Sequence, residues 1–551
     1  MRRTLSPVLG LAPAHRALLA RALAAVLVLA SCGEEQHPLE RVRAGEAVVS
    51  GQGVLVIVVD GLRWDHTSLA GYDRATTPFL ARFARDAMVF SNAWSASPSL
   101  VGSHVAILSG CDPSLAQPPD VRATMASETG VEPTDEDAWF VPEGLWLLGR
   151  PFLGAGWRTA AFVDHPMIAE LRGFDRGFRE FVEFGGEPDD STRTIGVYGV
   201  GRRFVQWLNE LPLDQNWFAY VHMNDLERAW YRGARAVAQR FGDEVAMDWK
   251  PRRDFAFVPP LGLTEPLFHA LPPSRANRAR PVSLAEYELR YDRGIRALDR
   301  SLARLLTIVE DFGRSDDITI VLAGSFGTGL GEHGLYLQAG LAEDEDLHVP
   351  LLVRPSRALA ERLGWSPNGK SRAKTSDALV GLVDVAPTLV DLFDVPTPRR
   401  VHGLTLRPLL DGSAASVRER VFARSSVVPG FAIVGRDASV TVYDPARAAP
   451  AVRRSWSRSV RDPQEPGPLD AGPLDAGPMD AGPGGIDPRA LWQRWEGALQ
   501  HERRTLHFGV GTADRAGADD LRTLQGASAP APSHGTPQEE AARLGEPEDS
   551  R

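Results

Sequence analysis

Val54-Leu55-Val56-Ile57-Val58-Val59 is an unbroken apolar run in which all residues but Leu55 are β-branched. A strand with no polar face must be buried on both sides, as the strands of parallel sheets are. Four further runs read the same way: Arg158-Thr159-Ala160-Ala161-Phe162-Val163, Trp217-Phe218-Ala219-Tyr220-Val221, Ile318-Thr319-Ile320-Val321-Leu322 and Val349-Pro350-Leu351-Leu352-Val353. Helical patterns lie between them. Thr77-Pro78 opens one, with the threonine as N-cap and Leu80, Phe83, Ala84 and Ala87 as its apolar stripe. Residues 287–309 form another, with Leu298, Leu302, Leu305 and Leu306 inward. Strand–helix alternation predicts an α/β fold, one mostly parallel sheet with helices on both faces, and a small C-terminal subdomain. Ligands of such sheets bind outside the carboxyl ends of the strands, so the residues just after each strand are the ones that matter.

Composition narrows the class further. With 43% hydrophobic and 24% charged residues, the 551-residue chain is neither collagen-like, coiled-coil, nor polytopic in a membrane. Two cysteines make no disulfide scaffold. A formal net charge of -10 argues against a nucleic-acid partner held by charge.

The ends differ from the middle. Arg2, Arg3, Arg16 and Arg21 precede a short apolar stretch at 22–30, which is too brief to span a bilayer. Leu29-Ala30-Ser31-Cys32 follows and resembles a bacterial lipobox. That resemblance implies a signal peptide over 1–31, cleavage before Cys32, and a lipid thioether that ties the protein to a membrane through a tether at 32–50. A plain secretory signal with a chance cysteine is the other reading. Gly33 is unlike an inner-membrane retention signal, so the expected location is the bacterial cell envelope, on the outer membrane. A lipidated Cys32 leaves Cys111 without a disulfide partner. The main α/β domain is expected over 51–412 and the C-terminal subdomain over 413–460. Three repeats of Pro-Leu/Met-Asp-Ala-Gly mark 461–488 as an extended linker. Leu491, Trp492, Trp495, Leu499 and Leu506 then predict an amphipathic helix over 489–508, with a disordered tail at 509–551.

Eight stretches, in order, carry a resemblance to a known family: Val58-Val59-Asp60-Gly61-Leu62-Arg63-Trp64-Asp65-His66; Gly71-Tyr72 with Thr76-Thr77-Pro78; Phe90-Ser91-Asn92-Ala93-Trp94; Ser103-His104 through Leu108-Ser109-Gly110; Gly156-Trp157-Arg158-Thr159 with Gly173-Phe174-Asp175; Val221-His222-Met223-Asn224-Asp225; Gly329-Leu330-Gly331-Glu332-His333-Gly334; and Val383-Asp384-Val385-Ala386-Pro387-Thr388. Together they resemble the sulfatase branch of the alkaline-phosphatase superfamily. The resemblance implies a divalent cation, usually Ca²⁺, on hard oxygen ligands, and a nucleophile beside it that attacks sulfur or phosphorus.

By that resemblance Asp60 stands at the first metal position, while its neighbour, often a second aspartate, is Gly61. Anchoring on Ser103-His104 puts Leu100 at the nucleophile position and Gly102 at the family's proline. An aliphatic side chain cannot attack an ester. A one-residue slip would offer Ser99 instead. Further on, Ser325 and Phe326 fall where active relatives have aspartate and histidine. His104, His222, Asp225 and His333 match stretches that border the pocket. A set rebuilt from Asp60, His222, Asp225 and His333 would suit Zn²⁺ or Mn²⁺. The expectation is therefore a membrane-anchored, catalytically impaired hydrolase with no cofactor, which binds a sulfated or phosphorylated ligand. The alternative is an active sulfuric or phosphoric ester hydrolase with a remodelled divalent-cation site and Ser99 as nucleophile, with His104, His222 and His333 as catalytic candidates.

Overall fold

The computed structural model describes residues 51–116, 140–184, 197–226, 284–310, 315–330, 336–337, 340, 342–365, 374–396, 400–426, 430–436, 438–443, 451–456, 488–508 and 523–526. The expected signal peptide at 1–31, Cys32, the expected tether at 32–50, His333 and all but the last residue of the expected linker at 461–488 lie outside the described residues.

Among the described residues the main sheet has eight strands: β1 (Gly53–Val59), β2 (Met88–Phe90), β3 (Arg158–Val163), β4 (Glu180–Glu183), β5 (Trp217–Met223), β6 (Ile318–Gly324), β7 (Leu351–Arg354) and β8 (Lys374–Ser376). Their order is β8-β2-β7-β6-β1-β5-β3-β4. All neighbouring pairs are parallel except those of β7, which runs antiparallel to both β6 and β2. The apolar run at 349–353 thus predicts a buried strand correctly but says nothing of its direction, because burial on both faces looks the same either way.

Both faces of β1 are covered, as its unbroken apolar run requires. Leu55, Ile57 and Val59 pack with Phe204 and Trp207 of α3 (Val197–Glu210) and Tyr291, Ile295 and Leu298 of α4 (Leu284–Val309). Val54, Val56 and Val58 pack on the other side, with Leu100, Val101 and Val105 of α2 (Leu100–Ser109) and Leu389 of α5 (Val385–Leu392). The helix at Thr77 is α1 (Pro78–Phe83), and its cap differs from expectation. Thr77 makes no side-chain cap. Its hydroxyl accepts from Ser68 N instead, while Asp299 of α4 takes the amides of Phe79 and Leu80 at 2.8 and 2.9 Å.

The C-terminal subdomain is an antiparallel sheet of β9 (Val421–Arg424), β10 (Gly430–Val434), β11 (Ala438–Tyr443) and β12 (Ala451–Trp456). The predicted amphipathic helix is α6 (Pro488–Phe508). Its Trp495 stacks on Phe422 at 4.2 Å and its Trp492 on Phe431 at 4.4 Å. Trp495 Nε1 donates to Asp112 Oδ2, so α6 docks beside the C-terminal end of α2. Residues 523–526 fall in the tail expected to be disordered, yet Leu524 is buried and the Gln525 carbonyl accepts from the amides of Glu419 and Arg420.

Candidate active site

Strand alternation assembles the site. Val58, Tyr220 and Ala323 share one core, the one beneath α2. Side chains two residues apart point to the same face. Asp60, His222 and Ser325 each follow two residues later, so all three face α2 at the carboxyl ends of β1, β5 and β6. The pairing register supports this, with Val58 opposite both His222 and Ala323. His104 projects from α2 to meet them.

The Asp60 carboxylate is the hub. His104 Nε2 lies 3.0 Å from Oδ1, His222 Nε2 lies 2.6 Å from Oδ2, and Ser325 Oγ donates to Oδ1 at 2.5 Å. Behind them, Tyr220 Oη meets His104 Nδ1, and the Asp164 amide donates to His222 Nδ1 at 3.2 Å. The two imidazoles meet edge-on, with ring centres 4.4 Å apart. Asp60 is 2% exposed, and His104, His222 and Ser325 are fully buried, so solvent does not reach the hub.

Electrostatics follow from that burial. Desolvation alone would raise the Asp60 pKa, but His222 and His104 outweigh it and hold the carboxyl well below the usual range. Burial above all pushes the His104 pKa down to about 4, against the pull of Asp60. Burial lifts the Tyr220 pKa well above its ordinary value, helped by the Asp60 charge.

The nucleophile position is apolar and closed. Leu100 is 3% exposed and begins α2. Ser99 is the N-cap of that helix: its Oγ accepts from Gly102 N at 3.1 Å and lies 2.9 Å from Ser97 Oγ. A Cβ at Gly102 would lie 2.4 Å from Ser97 Oγ, so the serine turn is packed hard under the helix. The neighbouring Ser103 hydroxyl bonds back to Leu100 O. Phe326 is buried in the same core as Leu100. Gly61 has φ +72, and a Cβ there would lie 2.7 Å from Thr328 Oγ1. Asp60's neighbour therefore has no room for a second carboxylate in this backbone.

The structure brings together Asp60, His104, His222 and Ser325 from the sequence-level candidates. Asp225 stands partly buried just past the end of β5. Asp60, His104 and His222 place their ligand atoms within 4.8 Å of one another. The calcium implied by the resemblance does not fit this set. Ca²⁺ takes six to eight oxygens, and around Asp60 the remaining partners among the described residues are two imidazoles and one hydroxyl. Sequence reasoning missed three contributors: Tyr220, the Asp164 amide and His165. His165 follows β3, is partly exposed, and stands close enough to depress His104's proton affinity. Its position just past a strand's carboxyl end was the available signal.

Comparison with known proteins points one way. The family model described as Sulfatase matches residues 52–395. N-acetylglucosamine-6-O-sulfatase of Bacteroides thetaiotaomicron is 31% identical over 126 residues, which is 23% of this chain and only 20% of that protein. Arylsulfatase of Clostridium perfringens is 21% identical over 416 residues, covering 68% of this chain and 81% of that protein. Among solved structures, one in complex with its substrate D-glucosamine-2-N,6-O-disulfate superposes with a TM-score of 0.54 at 17% identity, over 74% of this chain and 91% of its own. A 2-O GAG sulfatase superposes with a TM-score of 0.51 at 17% identity, over 72% of this chain and 83% of its own. At these identities the structural likeness establishes the fold.

Proposed function

The chain belongs to the sulfatase family, and from that footing we propose that it is a member that does not cleave esters. It is anchored to a bacterial membrane through lipidated Cys32 and holds an anionic ligand or partner. One observation carries this reading: the nucleophile position is Leu100, and the neighbouring serine is already used. Ser99 spends its oxygen capping α2 and is 2% exposed. To attack an ester it would have to leave the cap, at a cost of about 1 kcal/mol, and turn into a space closed by Leu100. Positional errors of about 1 Å already cost roughly a hundredfold in rate. No step is assigned to a cation, because around Asp60 the described residues lack the oxygens that Ca²⁺ takes.

The ligand class rests on the relatives. One structure of the same fold was solved with a sulfated glucosamine, which supports a sulfated ligand for this chain. The anchor rests on the Leu29-Ala30-Ser31-Cys32 sequence.

The test is an assay of the purified full chain with an aryl sulfate and an aryl phosphate, beside binding of a sulfated saccharide. No turnover with measurable saccharide binding is the expected pair of results. Turnover that disappears in Ser99→Ala would overturn the reading.

A further inference from the structure

Each hydrogen bond around Asp60 has a direction that its partners dictate. An ionised carboxylate only accepts. Both ring nitrogens that face Asp60, at 3.0 and 2.6 Å, therefore carry hydrogen. The Ser325 hydroxyl likewise points its hydrogen at Oδ1. On the far side of His222, the Asp164 backbone amide can only donate, so Nδ1 is the accepting nitrogen. The ring hydrogen of His222 is thus on Nε2, and Nδ1 is left to accept. His104, whose Nε2 hydrogen is also turned to Asp60, meets the Tyr220 hydroxyl with Nδ1.

A histidine that binds a metal is arranged the other way round. It offers a bare nitrogen to the ion and donates its other N–H to a carboxylate or carbonyl. If His222 turned a lone pair toward Asp60, its hydrogen would move to Nδ1 and meet the Asp164 N–H head-on. The three-residue group therefore has the size of a transition-metal ligand set but the wrong hydrogens.

We infer that the Asp60 centre is a cage of hydrogen donors that stands in the fold where a cation would, binding the ends of β1, β5 and β6 to α2 without any divalent ion. Ser325 belongs to this cage: where an aspartate would add charge for a metal, the serine supplies a third hydrogen to Asp60. The inference shares the family reading of the previous section but makes no use of its claim about turnover.

The experiment uses the full chain, purified without chelator. Metal content is measured by elemental analysis, and the melting temperature is followed with EDTA, with millimolar Ca²⁺ and with millimolar Zn²⁺. The ¹⁵N-histidine spectrum reads the tautomer of His222. Far less than one metal per chain, a melting temperature unmoved by all three additions, and an Nε2–H tautomer are expected. One metal per chain, a melting temperature that climbs with Zn²⁺ concentration as linkage requires, or an Nδ1–H tautomer would overturn it. Because these readings use the unaltered protein, they do not depend on whether an Asp60 variant folds. Ester turnover by metal-free protein would uphold the cage and sink the non-hydrolytic reading; bound metal without turnover would do the reverse.

Discussion

Leu100 and His104 stand one turn apart on the buried helix α2, so the position matched to the family's nucleophile and a donor to Asp60 share one helical stripe. The helix that carries Leu100 at the position matched to the family's nucleophile thus also holds the aspartate.

His104 should make the protein sensitive to mild acid. Its folded pKa is depressed to about 4, chiefly by burial. Between its ordinary value near 6.5 and 4, the unfolded chain binds a proton that the folded chain refuses. Stability should therefore fall as pH drops through that window, by roughly 3 kcal/mol at full extent. Urea unfolding of wild type and His104→Gln from pH 4 to 7 measures this. A variant that keeps the whole slope would show that another group sets it.

Asp299 should act in the opposite sense. Its pKa is pushed up to about 6, mainly by burial, against the amides of Phe79 and Leu80. A raised carboxyl contributes stability that is complete below about 3.8 and lost as pH rises through 6. Asp299→Asn should therefore cost most near pH 4. The deficit should shrink by about 1–3 kcal/mol by pH 7.5, read by the same unfolding series. A deficit that is constant with pH would contradict the assignment.

Ser325→Asp should harm the protein and Phe326→His should change how. The first variant replaces a donor at 2.5 Å with a second carboxylate facing Asp60. Like charges that close disfavour one another, so the melting temperature should fall in the absence of metal. The double variant Ser325→Asp/Phe326→His should gain a melting temperature that rises with added Ca²⁺ or Zn²⁺. If the double variant ignores metal, the correspondence of this segment with the family pattern is wrong.

Trp495 should prove structural. It stacks on Phe422 with ring planes 8° apart and donates to Asp112. Trp495→Ala should destabilise by about 3–5 kcal/mol and expose the apolar face of β9 and β10 to a hydrophobic dye. Unchanged melting and dye binding would mean α6 is a dispensable appendage.

The sheet was legible because burial on both faces leaves a plain mark. The run 54–59 has no polar residue to expose, and 318–322 has only the hydroxyl of Thr319. Direction was not legible for β7, and the α1 cap came from a residue 222 positions after Thr77, which local pattern cannot see. The site was half legible. Family spacing picked out Asp60, His104, His222 and Ser325 as separate points. Tyr220 looked like one more apolar strand residue, and only its phenol's meeting with His104 gives it a role.

The order of apolar runs, the identity of Leu100 and the absence of aspartate at position 325 are properties of the chain alone, since they depend on which side chains are present. Which hydrogen points where is not. The direction of His222's proton depends on a backbone amide from β3's end and a carboxylate from β1's end, brought together across strands that are distant in sequence. Hydrogen bonds act over about 3 Å, so only the folded arrangement could decide that Asp60 is met by donors.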